Sequence, residues 1–229
     1  MSTEIPAAMR DPGTATKVQI LATEHWSLLA TRSLTYTESL SRVNIFLAIL
    51  SGAVIALALV AQADRFGMTF IAVAIPLLSV ALFAGIATIS RLMALNRDDY
   101  RWVIGMNRLR HGYLELFPEL EEYLTASPYD DLQGALRTLG IESPAAAGRL
   151  GSVLHLFQTL PGMLTVIVAS IAGAIGALAG AAISVPPLGS VLAAATAFAV
   201  VVVALQAWGR RAVTSRPPSL EPRFPSPPG

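Results

Sequence analysis

The fold of this chain is decided by residues 91–117, which read RLMALNRDDYRWVIGMNRLRHGYLELF. No helix breaker separates this stretch from the apolar segment before it, so one helix is predicted to run from that segment into the stretch. Its apolar residues recur at steps of three and four, which is typical of a coiled-coil seam, if Asp99 is counted in the series. The seam consists of Leu92, Leu95, Asp99, Trp102, Met106, Leu109, Tyr113 and Leu116.

A second seam with the same spacing precedes the first apolar segment. It consists of Ala22, Trp26, Leu29, Ser33, Tyr36, Leu40, Val43 and Leu47. Folding the chain back near residue 66 pairs Trp26 with Met106, Leu29 with Trp102, Ser33 with Asp99, and Tyr36 with Leu95. The polar members of the two seams fall opposite each other, which predicts an antiparallel helical stalk of about four to five turns. The alternative is that the seams pair between subunits.

The composition is that of a membrane protein. The chain of 229 residues is 54% hydrophobic and only 14% charged, whereas soluble domains carry about 25% charged residues. The net charge of +1 provides no field that would attract nucleic acid. Because the chain has no cysteine, disulfides, thiolate metal sites and cysteine catalysis are excluded.

The apolar residues form four blocks, which predict an all-α integral membrane protein with four transmembrane helices in two hairpins. The predicted spans are residues 43–62, 68–90, 163–184 and 189–208. The first block has 20 residues without a charge, enough for a helix of about 30 Å, the thickness of the hydrocarbon core. No cleavable signal peptide is predicted, because the first apolar block begins only near Val43.

The positions of proline, glycine and serine predict which of the remaining segments are disordered and which form short helices. Residues 1–15 and the proline-rich tail 209–229 are expected to be disordered. Within 118–162, serine–proline pairs predict two short cytosolic helices near 128–138 and 144–158. The tail also holds a Pro222-x-x-Pro225 motif that could dock in an aromatic groove, but a solvated tail is the expected state.

Charge asymmetry predicts the topology. Of the sixteen lysine and arginine residues, fifteen lie in the N-terminal region, the central loop and the tail, and only Arg65 lies in a turn between paired spans. The positive-inside rule therefore places both termini and the central loop in the cytosol.

Three glycines in the third span are candidates for close helix packing. Gly173, Gly176 and Gly180 form a close-packing face in the third span, for which the partner is the fourth span or a second copy. No Asp, Glu, Lys, Arg or His lies within a predicted span, which argues against a coupled transporter or proton pump.

In the cytosolic part, the only cluster that resembles a site consists of Asp98, Asp99, Asn107, His111 and Glu115. His111 and Glu115 are four residues apart and share a helix face, but two ligands do not make a zinc site. An ordinary solvated face, on which the neighbouring arginines pair with these acids at steps of three and four residues, is the preferred interpretation. No catalytic, cofactor-binding or metal-binding residue is therefore predicted.

Residues 24–60 and 96–116 resemble an uncharacterised group of bacterial four-span proteins. More loosely, the paired spans with helical extensions look like SLATT domains, which are membrane effectors of nucleotide-signalling defence systems. These resemblances imply a multi-pass protein of the bacterial plasma membrane and an effector that opens pores. They carry over no functional residue.

The expected function is that of a non-enzymatic membrane scaffold or effector. Its partners would be the lipid bilayer, a second copy of the chain or a cytosolic protein. One alternative is a small channel or transporter component. Another is a membrane enzyme that uses Asp98, Asp99 and His111.

Overall fold

The computed structural model describes residues 11–140, 159–214 and 221–227, and these residues are all-α with no β-strand. Their helices are α1 (Pro12–Asp64), α2 (Met68–Leu116), a 3-10 helix (Pro118–Tyr123), α3 (Leu132–Thr138), α4 (Leu160–Ala182) and α5 (Pro187–Thr214). Four of them, α1, α2, α4 and the Pro187–Gly209 part of α5, are long and apolar enough to cross a membrane. This agrees with the four predicted apolar helices.

The ends of the long helices differ from the prediction. Residues 12–15 are helical rather than disordered, because Asp11 caps α1 and Pro12 occupies its first turn. The Asp11 carboxylate accepts hydrogen bonds from the Thr14 backbone N–H and hydroxyl, each at 2.9 Å. These hydrogen bonds lower the pKa of Asp11. At the other end, α5 continues to Thr214, beyond the predicted boundary at residue 208.

A tight turn joins α1 to α2, as the sequence predicted. Arg65 and Phe66 adopt positive φ angles of 49° and 64°. Asp64 stabilises the turn, since its carboxylate accepts a hydrogen bond of 2.8 Å from the Phe70 backbone N–H. A Cβ on Gly67 would lie 2.8 Å from the same carboxylate, so this position favours glycine.

The short helices differ from the prediction in extent. Helix α3 begins at Leu132 rather than near residue 128, because Asp131 is its N-cap. The acidic run after α2 forms the 3-10 helix, with Pro118 in its first turn. The second predicted short helix, 144–158, lies outside the described residues.

The chain divides into two compact units. The described residues of the first unit are 11–37, 96–140 and 221–227, and those of the second are 38–95 and 159–214. All four apolar blocks belong mainly to the second unit, which is therefore called the apolar unit. The first unit contains most of the predicted stalk, residues 38–40 and 92–95 excepted, and is called the polar unit.

In the core of the apolar unit, α1, α2 and α4 pack together around Gly85. Phe46 of α1, Ile89 of α2 and Val168 of α4 are almost fully buried in one cluster. A Cβ on Gly85 would overlap the Val168 side chain and lie 2.9 Å from the Phe46 ring. The absence of a side chain at Gly85 is what lets the helices come this close.

The predicted glycine face of α4 packs against α5 of the same chain. A Cβ on Gly176 would lie 2.8 Å from the Ala193 carbonyl oxygen, and one on Gly173 would lie 3.2 Å from that of Ala194. At Gly180 it would lie 2.9 Å from the Ser190 hydroxyl oxygen. Close packing is thus confirmed for all three glycines, with α5 as the partner.

Replacement of Gly85 by leucine is expected to destabilise the apolar unit. The added side chain must displace Phe46 and Val168, and overpacking of this kind costs about 1–3 kcal/mol. Thermal unfolding in detergent, followed by tryptophan fluorescence, should show a lower Tm for Gly85→Leu. Gly52→Leu is the matched control, since a Cβ on Gly52 meets no atom within 4 Å. Equal effects of the two substitutions would contradict this account of the core.

Candidate functional site

Every residue of the predicted α2 seam is buried or half-buried, but Val103, Ile104 and Asn107, which lie outside that seam, are buried as well. On α2, Met106 is buried, and Asp99 and Trp102 are half-buried.

Most of the half-buried positions of α1 lie one residue earlier than the predicted seam. On α1, Trp26 is 71% exposed and Tyr36 is 56% exposed. Leu29 and Ser33 are exposed as well. Most of the half-buried positions are instead Leu21, His25, Leu28, Arg32, Thr35 and Ser39, which follow the same steps of four and three. Of the predicted seam, Ala22 is half-buried and Val43 is buried.

An ion pair explains the shift in the α1 seam. Arg32, rather than Ser33, pairs with Asp99. Its Nε donates to Asp99 Oδ1 at 2.7 Å, and its Nη2 donates to Oδ2 at 3.3 Å. This bidentate geometry is the strongest pairing available to a half-buried carboxylate. The hydrogen bonds that Arg32 donates to Asp99 raise the pKa of Arg32.

Two leucines of α1 pack against glycines of α2. Leu28 lies against Gly105, and Leu21 lies against Gly112, where added Cβ atoms would be 3.0 and 3.5 Å from the leucine methyl groups. A step of seven residues forward on α1 thus matches seven residues back on α2, so the two segments are antiparallel in the polar unit. Helix α1 of the same chain therefore occupies the surface at both glycines.

The three residues of the alternative enzyme site engage different partners. Asp98 pairs with Arg101 at 3.5 Å, whereas Asp99 pairs with Arg32. The His111 ring stacks on Phe224, with ring centroids 3.9 Å apart. Among the residues that the structure describes, no group of three or more metal-ligating side chains occurs.

The most elaborate polar site of the polar unit holds residues 221–227, which were predicted to be disordered. That prediction is wrong for this segment. Residues 221–227 (hereafter the tail segment) lie against the loop before α3 and the middle of α2. The Phe224 ring is the part that stacks on His111.

Asp130 is the centre of this site. Its side chain is fully buried, and its Oδ2 accepts hydrogen bonds from Arg108 Nε at 2.6 Å and from the Arg223 backbone N–H at 2.9 Å. Its Oδ1 accepts a hydrogen bond of 2.8 Å from the Phe224 backbone N–H. The Asp130 backbone N–H donates in return to the Phe224 carbonyl at 3.1 Å. A buried carboxylate requires such donors, since an unpaired charge in the interior is costly.

Asp131 binds Ser226 of the tail segment and also caps α3. One oxygen, Oδ1, accepts hydrogen bonds from the Gly134 backbone N–H at 2.7 Å and from the Ser226 hydroxyl at 2.9 Å. The other, Oδ2, accepts from the Ser226 backbone N–H at 2.9 Å. The N-cap of α3 and the binding of the tail segment therefore share one carboxylate.

Asn107 fixes the loop that presents the two aspartates. Its buried amide donates to the Tyr129 carbonyl at 2.7 Å and accepts from the Thr138 hydroxyl at 2.9 Å. The Arg110 guanidinium donates to the same amide oxygen at 2.7 Å. A side chain at Gly134 would overlap the Tyr129 carbonyl, so glycine is required where α3 meets this loop.

Both aspartates have lowered pKa values. Burial raises the pKa of Asp130, but the hydrogen bonds from Arg223, Arg108 and Phe224 lower it by more. For Asp131, burial likewise raises the pKa, and hydrogen bonds from Gly134 and Ser226 outweigh it. Both carboxylates are therefore ionised at neutral pH, which suits them to accept backbone N–H groups.

The sequence contains only a weak signal of this site. Asp130 and Asp131 lie in the first turn of the helix predicted near 128–138, where they are most simply explained as first-turn helix charge. The donors that complete the site lie 93 to 95 residues further along the chain.

No protein-family model, curated protein or solved structure matches this chain. The resemblance to bacterial four-span proteins and to SLATT domains therefore stays a prediction.

Docking of the tail segment is expected to depend on acid pH. Both aspartates have pKa values below the ordinary 3.8, so their contribution to docking is present above 3.8 and is lost as the pH falls through the lowered values. A dye on Gly229→Cys, the only cysteine of such a chain, should show falling anisotropy over that acid range. Circular dichroism over the same range separates tail release from unfolding.

Asp130→Asn is the matched variant for this titration. It removes the charge and one acceptor oxygen, which should weaken docking by about 1–3 kcal/mol and give low anisotropy already at pH 7. If anisotropy at pH 7 were the same with and without Asp130→Asn, the buried carboxylate would not be what holds the tail segment.

Proposed function

We propose that this chain is a multi-pass scaffold of the bacterial plasma membrane, without enzymatic activity, that acts by binding protein segments in the cytosol. In this proposal α1 and α2 form one membrane hairpin, and α4 and α5 form the other. The polar unit, with both termini, lies on the cytosolic side.

Exposed apolar side chains on the predicted spans support the membrane location. Ile55 and Leu59 of α1, Phe83 of α2 and Val203 of α5 are each more than half exposed. Large exposed apolar surfaces are rare on soluble monomers. Lipid would cover these side chains, and the helices pair most of their own backbone groups, as the bilayer core demands, with Pro76 of α2 as an interruption.

Charged residues at the ends of the first two predicted spans are consistent with the same placement. Glu38 accepts hydrogen bonds from Arg91 and Arg42, each at 2.9 Å. These bonds, that from Arg91 first, lower the pKa of Glu38 to about 2. Arg42 directly precedes the predicted span 43–62, and Arg91 directly follows 68–90. Arginines at such positions anchor helices at the cytosolic face.

The function is inferred from the buried carboxylate of Asp130. Its ligands are the backbone N–H groups of two consecutive residues of an extended segment. Recognition of main-chain groups, with one ring and one hydroxyl for specificity, is the chemistry of peptide-binding sites. Protein segments are therefore the class of ligand that the site fits best.

Topology can be tested with single cysteines, because the native chain has none. Ala63→Cys lies beside the turn between α1 and α2, and Thr125→Cys lies in the polar unit; both positions are exposed. In intact cells stripped of the outer membrane, an impermeant maleimide should label Ala63→Cys only. Thr125→Cys should react after permeabilisation. Labelling of Thr125→Cys in intact cells would contradict the proposed orientation.

Peptide binding tests the scaffold function directly. In the full-length Phe224→Ala variant, the chain's own tail segment should bind its site more weakly and leave the site accessible. A dye-labelled peptide of residues 221–229 should therefore bind to this variant. A peptide with alanine in place of Phe224 should bind about fivefold more weakly, since an aromatic stack contributes about 1 kcal/mol. A chain that carries both Phe224→Ala and Asp130→Asn is the control. Equal binding to this control would rule out the proposed site.

A further inference from the structure

We propose that the site in the polar unit is specific for proline-rich segments of one pattern, in which an aromatic residue is preceded by a residue other than proline and followed by proline and serine. The inference rests on the proposed peptide-binding function and names its class of ligand. The partner is then a cytosolic protein that carries such a segment. In the structure the tail segment occupies the site, so this partner must compete with it.

Backbone N–H groups of the tail segment bind both aspartates of the site. Arg223 and Phe224 donate theirs to Asp130 at 2.9 and 2.8 Å. Ser226 donates its own to Asp131 at 2.9 Å. A proline at any of these three positions would remove a hydrogen bond, because proline has no backbone N–H. The site therefore requires a residue other than proline at each of them.

Prolines occupy the remaining positions of residues 222–227. Pro222, Pro225 and Pro227 have no N–H to donate, so the site loses no hydrogen bond by accepting them. All three are exposed, which indicates that they act through conformation rather than through burial. Proline holds its own φ at about −65° and biases the residue before it away from the helical region. A segment with this spacing thus loses less conformational entropy when it binds.

Two side chains of the tail segment fix the register of the ligand. The Phe224 ring stacks on His111, with ring centroids 3.9 Å apart and an angle of 19° between the ring planes. The Ser226 hydroxyl donates to Asp131 Oδ1 at 2.9 Å. Arg223 donates a main-chain group and is itself exposed, so this contact sets no requirement for its side chain. The pattern is therefore proline, any residue but proline, aromatic, proline, serine and proline.

Peptides of residues 221–229 that differ in the placement of proline test this specificity on the full-length Phe224→Ala chain. An Arg223→Pro peptide should bind about tenfold more weakly than an Arg223→Ala peptide, because only proline removes the N–H that Asp130 accepts. A peptide with alanine at positions 222, 225 and 227 should bind about tenfold more weakly than the native peptide, because it is less restricted before it binds. Equal binding within either pair would overturn the proposed specificity.

The native peptide distinguishes the two levels of the inference. If it binds to the Phe224→Ala chain but the placement of proline has no effect, the site is real and the specificity is wrong. If the native peptide does not bind at all, the peptide-binding function itself is wrong.

A second measurement does not depend on the folding of the Phe224→Ala chain. The two substitutions at Arg223 are made in the tail of the full-length chain that carries the dye on Gly229→Cys. Arg223→Pro should then give lower anisotropy at pH 7 than Arg223→Ala. Equal anisotropy of the two chains would show that the N–H at this position is not required.

Discussion

The ionised carboxylate of Asp130 is the constraint on which the polar unit depends. A buried charge is tolerated only where donors surround it. Arg108 supplies one donor, and residues 223 and 224 supply two more through their backbone N–H groups. Because those residues lie 93 and 94 positions further along the chain, the loop before α3 cannot reach its final state by itself. The tail segment is therefore part of the structure of the polar unit, as well as the ligand of its site.

The two units are stabilised by different kinds of interaction. The apolar unit relies on shape, since glycines on α2 and α4 let neighbouring helices approach closely. The polar unit relies on a connected set of hydrogen bonds from Asn107 and the two aspartates, with the Arg32–Asp99 ion pair on the neighbouring face. Partly satisfied networks of this kind are costly. Loss of a single hydrogen-bond donor should therefore destabilise the polar unit more than a small change of side-chain volume destabilises the apolar unit.

Periodicity in the sequence was sufficient to predict the four apolar helices and the glycine face of α4. On α2 it selected residues that are buried or half-buried, but it missed Val103, Ile104 and Asn107. It failed on α1, where two adjacent faces have the same spacing. The face with Trp26 and Tyr36 is the more apolar, yet the face with His25 and Arg32 packs against α2, because Arg32 meets Asp99 there. The tail segment could not be predicted at all. Its prolines are typical of disorder, and its partners are remote in sequence.

The position of the tail segment in the chain has a consequence for biosynthesis. Residues 221–227 leave the ribosome after all four apolar helices and after the loop that contains Asp130. Until then, Asp130 and Arg108 must remain solvated, with Asp130 open to any extended segment nearby. The polar unit thus finishes folding only after the apolar helices have been made, in contrast to domains that fold as they emerge. Nascent chains that stop before residue 221 would present an open site, which a chaperone or a protease could use to recognise them.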